Sequence, residues 1–245
     1  MTNNSLAQQL INAVEEADSS AKLLEAVQNL AAACLEESVP TLIAALGYNN
    51  PGAAVAAVDG LVQIGEPAVK PLLELLDNYN YGARAWAVRA MAGIGDPRGL
   101  DTLLDAAKND FALSVRRAAA RGLGTIRWQE MPPEQAVLAQ LQALETVTQV
   151  CQDPEWVVRY AAITALEGLA IAVHNTQPGL LPQIKAQLEH MASIDTEVSI
   201  RARVWMALHQ IQTQTQVGTQ SYKLEVDSQE ETQASHRGGS RRELV

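Results

Sequence analysis

The chain has 245 residues, enough for one or two compact domains or for a single extended array of repeats. Apolar residues make up 47% of it but aromatics only 4%, and the apolar content is mostly Ala, Leu, Val and Ile; this disfavours sandwiches and barrels and favours closely approaching helices. A formal net charge of −10, from 28 acidic and 18 basic residues, weighs against a nucleic-acid backbone or an anionic membrane surface as partner.

In chain order, Met1 to Leu10 carries neither a basic n-region nor an apolar h-region, and no apolar run farther on approaches the length of a membrane span. A cytoplasmic protein without membrane insertion is expected. Two apolar-periodic segments, Ser5–Glu16 and Ala21–Glu36, predict a helix pair that caps the N-terminal end, over about residues 5–36. Beyond it, Val39–Leu46, Ala68–Leu76, Leu100–Ala107, Ala136–Val150 and Ile184–Ser193 each read as the first helix of a pair. The units are separated by Asn49-Asn50-Pro51-Gly52, Gly65-Glu66-Pro67, Gly95-Asp96-Pro97 and Asp153-Pro154; glycine ends a helix at little cost and proline suits the first turn of the next.

The second helices share one register. With Ala54, Arg84, Arg116, Arg159 and Arg201 as anchors, the third residue onward is Ala57, Ala87, Ala119, Ala162 and Val204. The sixth is always small (Gly60, Ala90, Gly122, Ala165, Ala207), the seventh is Leu61, Met91, Leu123, Leu166 and Leu208, and the tenth is Ile64, Ile94, Ile126, Leu169 and Ile211. Offsets of three, seven and ten trace one face of an α-helix, so five segments repeat one structural unit. The predicted fold is all-α, a HEAT-like α-solenoid of about six helix pairs. Anchor spacings of 30, 32, 43 and 42 residues imply longer first helices late in the chain, plus an insert at Trp128–Glu134. From Gln212 the periodicity stops, so the solenoid is expected over residues 1–212 and a polar, disordered tail over 213–245.

Six residues before each anchor arginine stands a short polar residue: Asn78 before Arg84, Asp110 before Arg116, Asp153 before Arg159 and Asp195 before Arg201. A guanidinium can bridge a carboxylate and free helix-end carbonyls together, so these eight residues are read as a structural ladder between units. Five residues after the anchors, off the core face, stand Asp59, Arg89, Arg121, Thr164 and Met206, so two arginines point the same way from adjacent units; Tyr79, Tyr81 and Trp86 lie near the first of them. Cationic and aromatic side chains together suit a flat conjugated ligand bearing carboxylates, and Tyr79, Tyr81, Trp86, Arg89 and Arg121 are the candidate binding set. Trp128, Trp156, Tyr160 and Trp205 are expected to pack between repeats. Cys34 and Cys151 offer neither a disulfide framework nor metal spacing, and His174, His190, His209 and His236 show no ligand spacing. With no phosphate-loop, zincin, serine-hydrolase or CxxC motif, no metal is expected and no catalytic residue is identified.

The segment Tyr79-Asn80-Tyr81-Gly82-Ala83-Arg84-Ala85-Trp86-Ala87-Val88-Arg89-Ala90, continuing through Gly95-Asp96-Pro97-Arg98-Gly99-Leu100, resembles the HEAT-like phycobilin lyase family. The likeness runs from about Glu15 to Ala172 and is nearest to the F-type subunits that act on the phycocyanin α subunit. It implies a heterodimer with an E-type subunit that binds an open-chain tetrapyrrole, phycocyanobilin. The pair directs thioether formation between ring A of that substrate and a cysteine of the phycocyanin α acceptor, and needs no prosthetic group. A related lyase-isomerase branch carries His and Cys in a turn of the form Asn-His-Cys-Gln-Gly-Asn. The matching residues here, Asn78-Tyr79-Asn80-Tyr81-Gly82-Ala83, hold neither, so isomerase activity is not expected. A bilin-free HEAT adaptor or assembly factor and a bilin-detaching relative are the alternative readings.

Overall fold

The computed structural model describes residues 3–77, 81–174 and 176–215. Their helices form six successive pairs: α1 (Asn3–Glu15) with α2 (Ser20–Ala32), α3 (Val39–Ala45) with α4 (Pro51–Ile64), α5 (Glu66–Asp77) with α6 (Tyr81–Ile94), α7 (Leu100–Asn109) with α8 (Leu113–Leu123), α9 (Pro133–Val150) with α10 (Trp156–Val173), and α11 (Leu181–Ile194) with α12 (residues 198–215). Short 3₁₀ turns at Glu36–Ser38, Pro97–Gly99, Trp128–Glu130 and Pro178–Leu180 lead into α3, α7, α9 and α11.

Each anchor is the fourth residue of its helix, which gives every second helix the same rotation about its axis. The offset-three residues Ala57, Ala87, Ala119, Ala162 and Val204 are fully buried, as are Leu61 and Leu166 at offset seven. One core, running from Val14 to Ile211, threads all six pairs. The small offset-six position explains how closely the units stack: a Cβ on Gly122 would come within 2.7 Å of Ala92 Cβ in the preceding second helix. Farther along, Gly168 of α10 lies so close to the Gly124 backbone that a side chain there would be driven into the Gly124 carbonyl oxygen.

The second helices α2, α4, α6, α8 and α10 pack in an unbroken series, whereas the first helices meet substantially only as α3 with α5 and α7 with α9. A stack spaced more tightly in one layer bends towards that layer, so the second helices line the inner side.

Three expectations are corrected. Helix α8 stops at Leu123, short of its offset-ten residue, because Gly124 approaches α10 and Thr125 Oγ1 donates to the Ala92 carbonyl at 2.6 Å; Ile126 is buried even so. The solenoid does not end at 212: α12 continues to 215, with Thr213 and Thr215 donating to the His209 and Ile211 carbonyls one turn back. The rest of the expected tail, residues 216–245, lies outside the described residues. Finally, α10 is long and apolar enough by composition to cross a membrane, with a mean hydropathy of 1.5. Here its apolar residues are used for packing, since Val158, Ala162, Ile163, Leu166, Leu169 and Val173 are buried and the helix contacts α8, α9 and α11.

Candidate functional site

The anchor arginines tie each unit to the next. Arg84 Nε donates to Asp110 Oδ2 at 2.7 Å, Arg116 Nε to Asp153 Oδ2 at 2.7 Å, and Arg159 Nε to Asp195 Oδ2 at 2.7 Å. Arg116 and Arg159 close a second bond to the other carboxylate oxygen, at 3.2 and 3.0 Å. Their Nη1 atoms reach back to their own turns, Arg116 to the Asp110 and Phe111 carbonyls and Arg159 to those of Asp153 and Pro154. Arg201 makes the same backbone contacts, to Asp195 and Thr196, and pairs with no carboxylate among the described residues. Each aspartate also accepts a backbone N–H two residues on, from Ala112, Glu155 or Glu197, which fixes the turn. The Asp–Arg spacing six residues apart within a unit therefore serves carboxylate pairing between units. Hydrogen bonding from Arg159 holds the Asp195 carboxyl below the usual carboxylate range, and the partner carboxylates raise Arg116 and Arg159. Asn78 lies outside the described residues. In the earlier unit, where the anchor is Ala54, Asn50 links the units by capping Ala53 N and donating to the Ser20 carbonyl at 2.9 Å.

The motif Gly95–Leu100 has a similar structural role. Asp96, nearly inaccessible, caps the 3₁₀ turn at Arg98 N and takes both Arg98 Nε and Nη2, while Arg98 reaches Glu66 at 2.9 Å. Arg98 donation depresses the Asp96 carboxyl.

The exposed side of the second-helix layer differs in kind. Among the described arginines, Arg84, Arg98, Arg116, Arg127, Arg159 and Arg203 pair with carboxylates and Arg201 with carbonyls. Arg89, Arg117 and Arg121 make no ion pair among the described residues, and all three are exposed on neighbouring helices α6 and α8. Arg89 lies over the half-buried Trp86 ring, 5.7 Å from its centroid. Arg117 and Arg121 face α10 across a groove of about 490 Å³, whose far wall is Trp156 and Tyr160, whose floor is Val157 and Ala161, and whose end is Thr164 and Arg203. Arg203 is buried; it donates to Glu167 Oε2 at 2.7 Å and Thr164 Oγ1 at 3.3 Å, and lies over the Tyr160 ring at 5.7 Å. A cleft of similar size between α9 and α11, about 520 Å³, is lined by Leu138, Leu141, Glu145 and Gln183 among others and contains no cation or aromatic ring. The α8–α10 groove combines rings with uncompensated positive charge, the pairing that suits a flat anionic ligand.

Of the five residues in the candidate set, Arg121 lies in this groove, and Trp86 and Arg89 flank it one helix away on α6. Tyr81 opens α6, but its side chain, like all of Tyr79, lies outside the described residues. Arg117, Trp156, Tyr160 and Arg203 enter the site from the structure. The inter-repeat role expected of four aromatics applies only to Trp128, which is buried; Trp156 is 43%, Tyr160 38% and Trp205 64% exposed. A usable signal was present: Trp156 and Tyr160 stand three before and one after their anchor, which with the offset of five forms a single stripe in steps of four.

A family model for HEAT repeats matches residues 7–81 and 69–167. The chain is 58% identical over 209 residues to a phycocyanobilin lyase subunit beta of Pseudanabaena tenuis, covering 85% of this chain and 74% of that one. It is 54% identical over 205 residues to the phycocyanin alpha phycocyanobilin lyase CpcF of Synechocystis sp., covering 83% and 94%. Among solved structures it is similar to one in the complex of CpcE and CpcF of phycocyanin lyase from Nostoc sp. PCC7120, at 49% identity and a TM-score of 0.63, over 70% of this chain and 98% of that one.

Proposed function

The chain belongs to the family of HEAT-repeat phycobilin lyase subunits, and on that premise we propose that it is the F-type half of a heterodimeric lyase that attaches phycocyanobilin to the phycocyanin α subunit. It works with an E-type partner, and the bond made is a thioether between ring A of the bilin and a cysteine of the acceptor. The nucleophile belongs to the acceptor, so this chain needs to hold the bilin extended, neutralise its propionates and present ring A to the right thiol. That is catalysis by positioning, together with exclusion of geometries that would misattach the pigment. The bilin is a substrate, transferred and released with the acceptor.

The observation that carries this reading is the collection of Arg89, Arg117 and Arg121, which form no ion pair among the described residues, on one face of a chain with a net charge of −10. A scaffold with no anionic ligand gains nothing from exposed like charges kept side by side. Trp86 and the rings of the α8–α10 groove supply the matching apolar surface. Exposed Ile194, Val198, Trp205 and Met206 at the last pair are the apolar area available for burial in an assembly. Its two free cysteines, Cys34 and Cys151, suit the reducing cytoplasm, the compartment this reading assigns to it. The absence of His and Cys from residues 78–83 supports plain attachment without double-bond isomerisation.

The test is co-expression of this chain with an E-type partner, the phycocyanin α subunit and phycocyanobilin. The expected result is a zinc-fluorescent, covalently coloured α subunit on a denaturing gel, dependent on both lyase subunits. A clean heterodimer with a colourless acceptor would replace this reading with an adaptor or a bilin-detaching protein.

A further inference from the structure

The bilin reading leaves open where on the inner face the pigment is gripped, and the groove geometry is specific on that point. Resting on that reading, we propose that the α8–α10 groove is the propionate-binding subsite. Arg117 and Arg121 each take one propionate, Trp156 and Tyr160 lie along the conjugated face, and Arg203 is a positioning residue that fixes Tyr160.

Arg117 and Arg121 are four residues apart on α8, so their side chains leave the same face with about 5–6 Å between their Cβ atoms. The two propionates of a bilin hang from its two central pyrroles, on neighbouring rings of one conjugated system. A pair of forked donors one helical turn apart can therefore take one carboxylate each, whereas a single arginine would leave the second without a partner. Trp156 and Tyr160 are also four apart, on α10, and form a row opposite the arginines. Helices α8 and α10 are in backbone contact where Gly168 meets Gly124, and the groove opens just before that contact in each chain segment, between Arg117 and Arg121 of α8 and Trp156 to Thr164 of α10.

Arg203 differs from the other two arginines of the groove. Its charge is compensated by Glu167 and its guanidinium is held by Thr164 as well, so it is not available to a carboxylate. Its position over Tyr160 sets the ring that the pigment must lie against. The subsite is thus completed by the following unit, which moves the grip one unit beyond the Tyr79–Arg89 segment.

The experiment titrates the purified heterodimer with phycocyanobilin and, separately, with its dimethyl ester, following visible absorption and circular dichroism. The free acid is expected to bind about tenfold or more tightly than the ester, the scale of one charge-assisted pair. Arg117→Gln and Arg121→Gln should each weaken the acid and leave the ester unchanged, and the double variant should bring acid and ester together. Arg203→Lys keeps the charge opposite Glu167 but loses the planar contact; it should preserve the acid-to-ester ratio and change the dichroism of bound pigment. Unfolding curves of all variants check that the heterodimer is intact. Equal binding of acid and ester by the unaltered heterodimer overturns the subsite while leaving the lyase reading in place. So does equal weakening of both ligands in the variants, or unchanged bilin affinity with lost binding of the acceptor. A heterodimer that binds neither pigment overturns both.

Discussion

Arg116 and Arg117 are neighbours on α8, about 100° apart around the helix, and their surroundings differ completely. Arg116 is mostly buried and bonded at every turn, to Asp153 with two nitrogens and to the Asp110 and Phe111 carbonyls with the third. Arg117 is exposed at the mouth of a groove and makes no ion pair. The same contrast separates the rim of the solenoid, where Arg84, Arg116 and Arg159 are matched one for one with Asp110, Asp153 and Asp195, from its inner face, where Arg89, Arg117 and Arg121 pair with no carboxylate among the described residues. The rim uses arginine to join consecutive units; the inner face keeps arginine available for an anion supplied from outside. Residue type alone does not distinguish these roles, and rotation about the helix axis does.

The sharpest way to break this comparison is to remove each neighbour in turn. Arg116→Ala leaves the Asp153 carboxylate without its counter-charge and two turn carbonyls without the guanidinium, and breaking a buried pair from one side costs about 3–5 kcal/mol, or roughly 10 °C in melting temperature for a chain of this size. Arg117→Ala should stay within about 0.5 kcal/mol of the parent, because nothing in the fold depends on it. Circular-dichroism melts of the two variants decide the matter, and similar losses would dissolve the distinction between rim and inner face.

A substitution between the two regions should disturb both. Gly168→Val forces a side chain into the Gly124 carbonyl and separates α8 from α10, an overpacking cost of about 1–3 kcal/mol. Because those helices also form the groove walls, pigment affinity should fall along with stability. Urea unfolding and bilin titration on one preparation would show whether the losses occur together; a stable variant with weakened pigment binding would locate the effect in groove shape alone.

The smallest expected effect is in acid and concerns the rim. Arg159 depresses the Asp195 carboxyl and Arg98 depresses Asp96, so each contributes stability that is fully present above the unfolded carboxylate pKa. That contribution is lost as pH falls through the lower folded value, so the melting temperature should hold down to about pH 5 and decline below about pH 4. Arg159→Ala removes the cause of the Asp195 shift and should flatten part of the decline. An unchanged slope in that variant would show that Asp195 is not stabilised through Arg159.

Much of the fold is legible in the sequence because a solenoid is local. Each second helix repeats one pattern, and Ala57, Ala87, Ala119 and Ala162 can only face the core if the helices are rotated alike. Helix ends were less legible: α12 continues through Thr213 and Thr215 because their hydroxyls bond back to carbonyls one turn earlier, a contact that a polar composition conceals. The candidate site was legible only in part. Arg121 and Arg89 stand out at offset five, but Trp156 and Tyr160 join that stripe only when the positions three before and one after the anchor are read together with it; taken singly, an aromatic early in a helix reads as packing.

The sequence by itself determined the class, the number of pairs, the shared register and the supply of arginine and aspartate, because periodicity and capping act over a few residues. Only the tertiary structure decided which arginines are neutralised. Asp153 lies 37 residues beyond Arg116, and Glu167 lies 36 before Arg203. Whether a charge is compensated within the fold or left free for a ligand depends on which unit stacks next to it, and that is a property of the stack and not of the repeat.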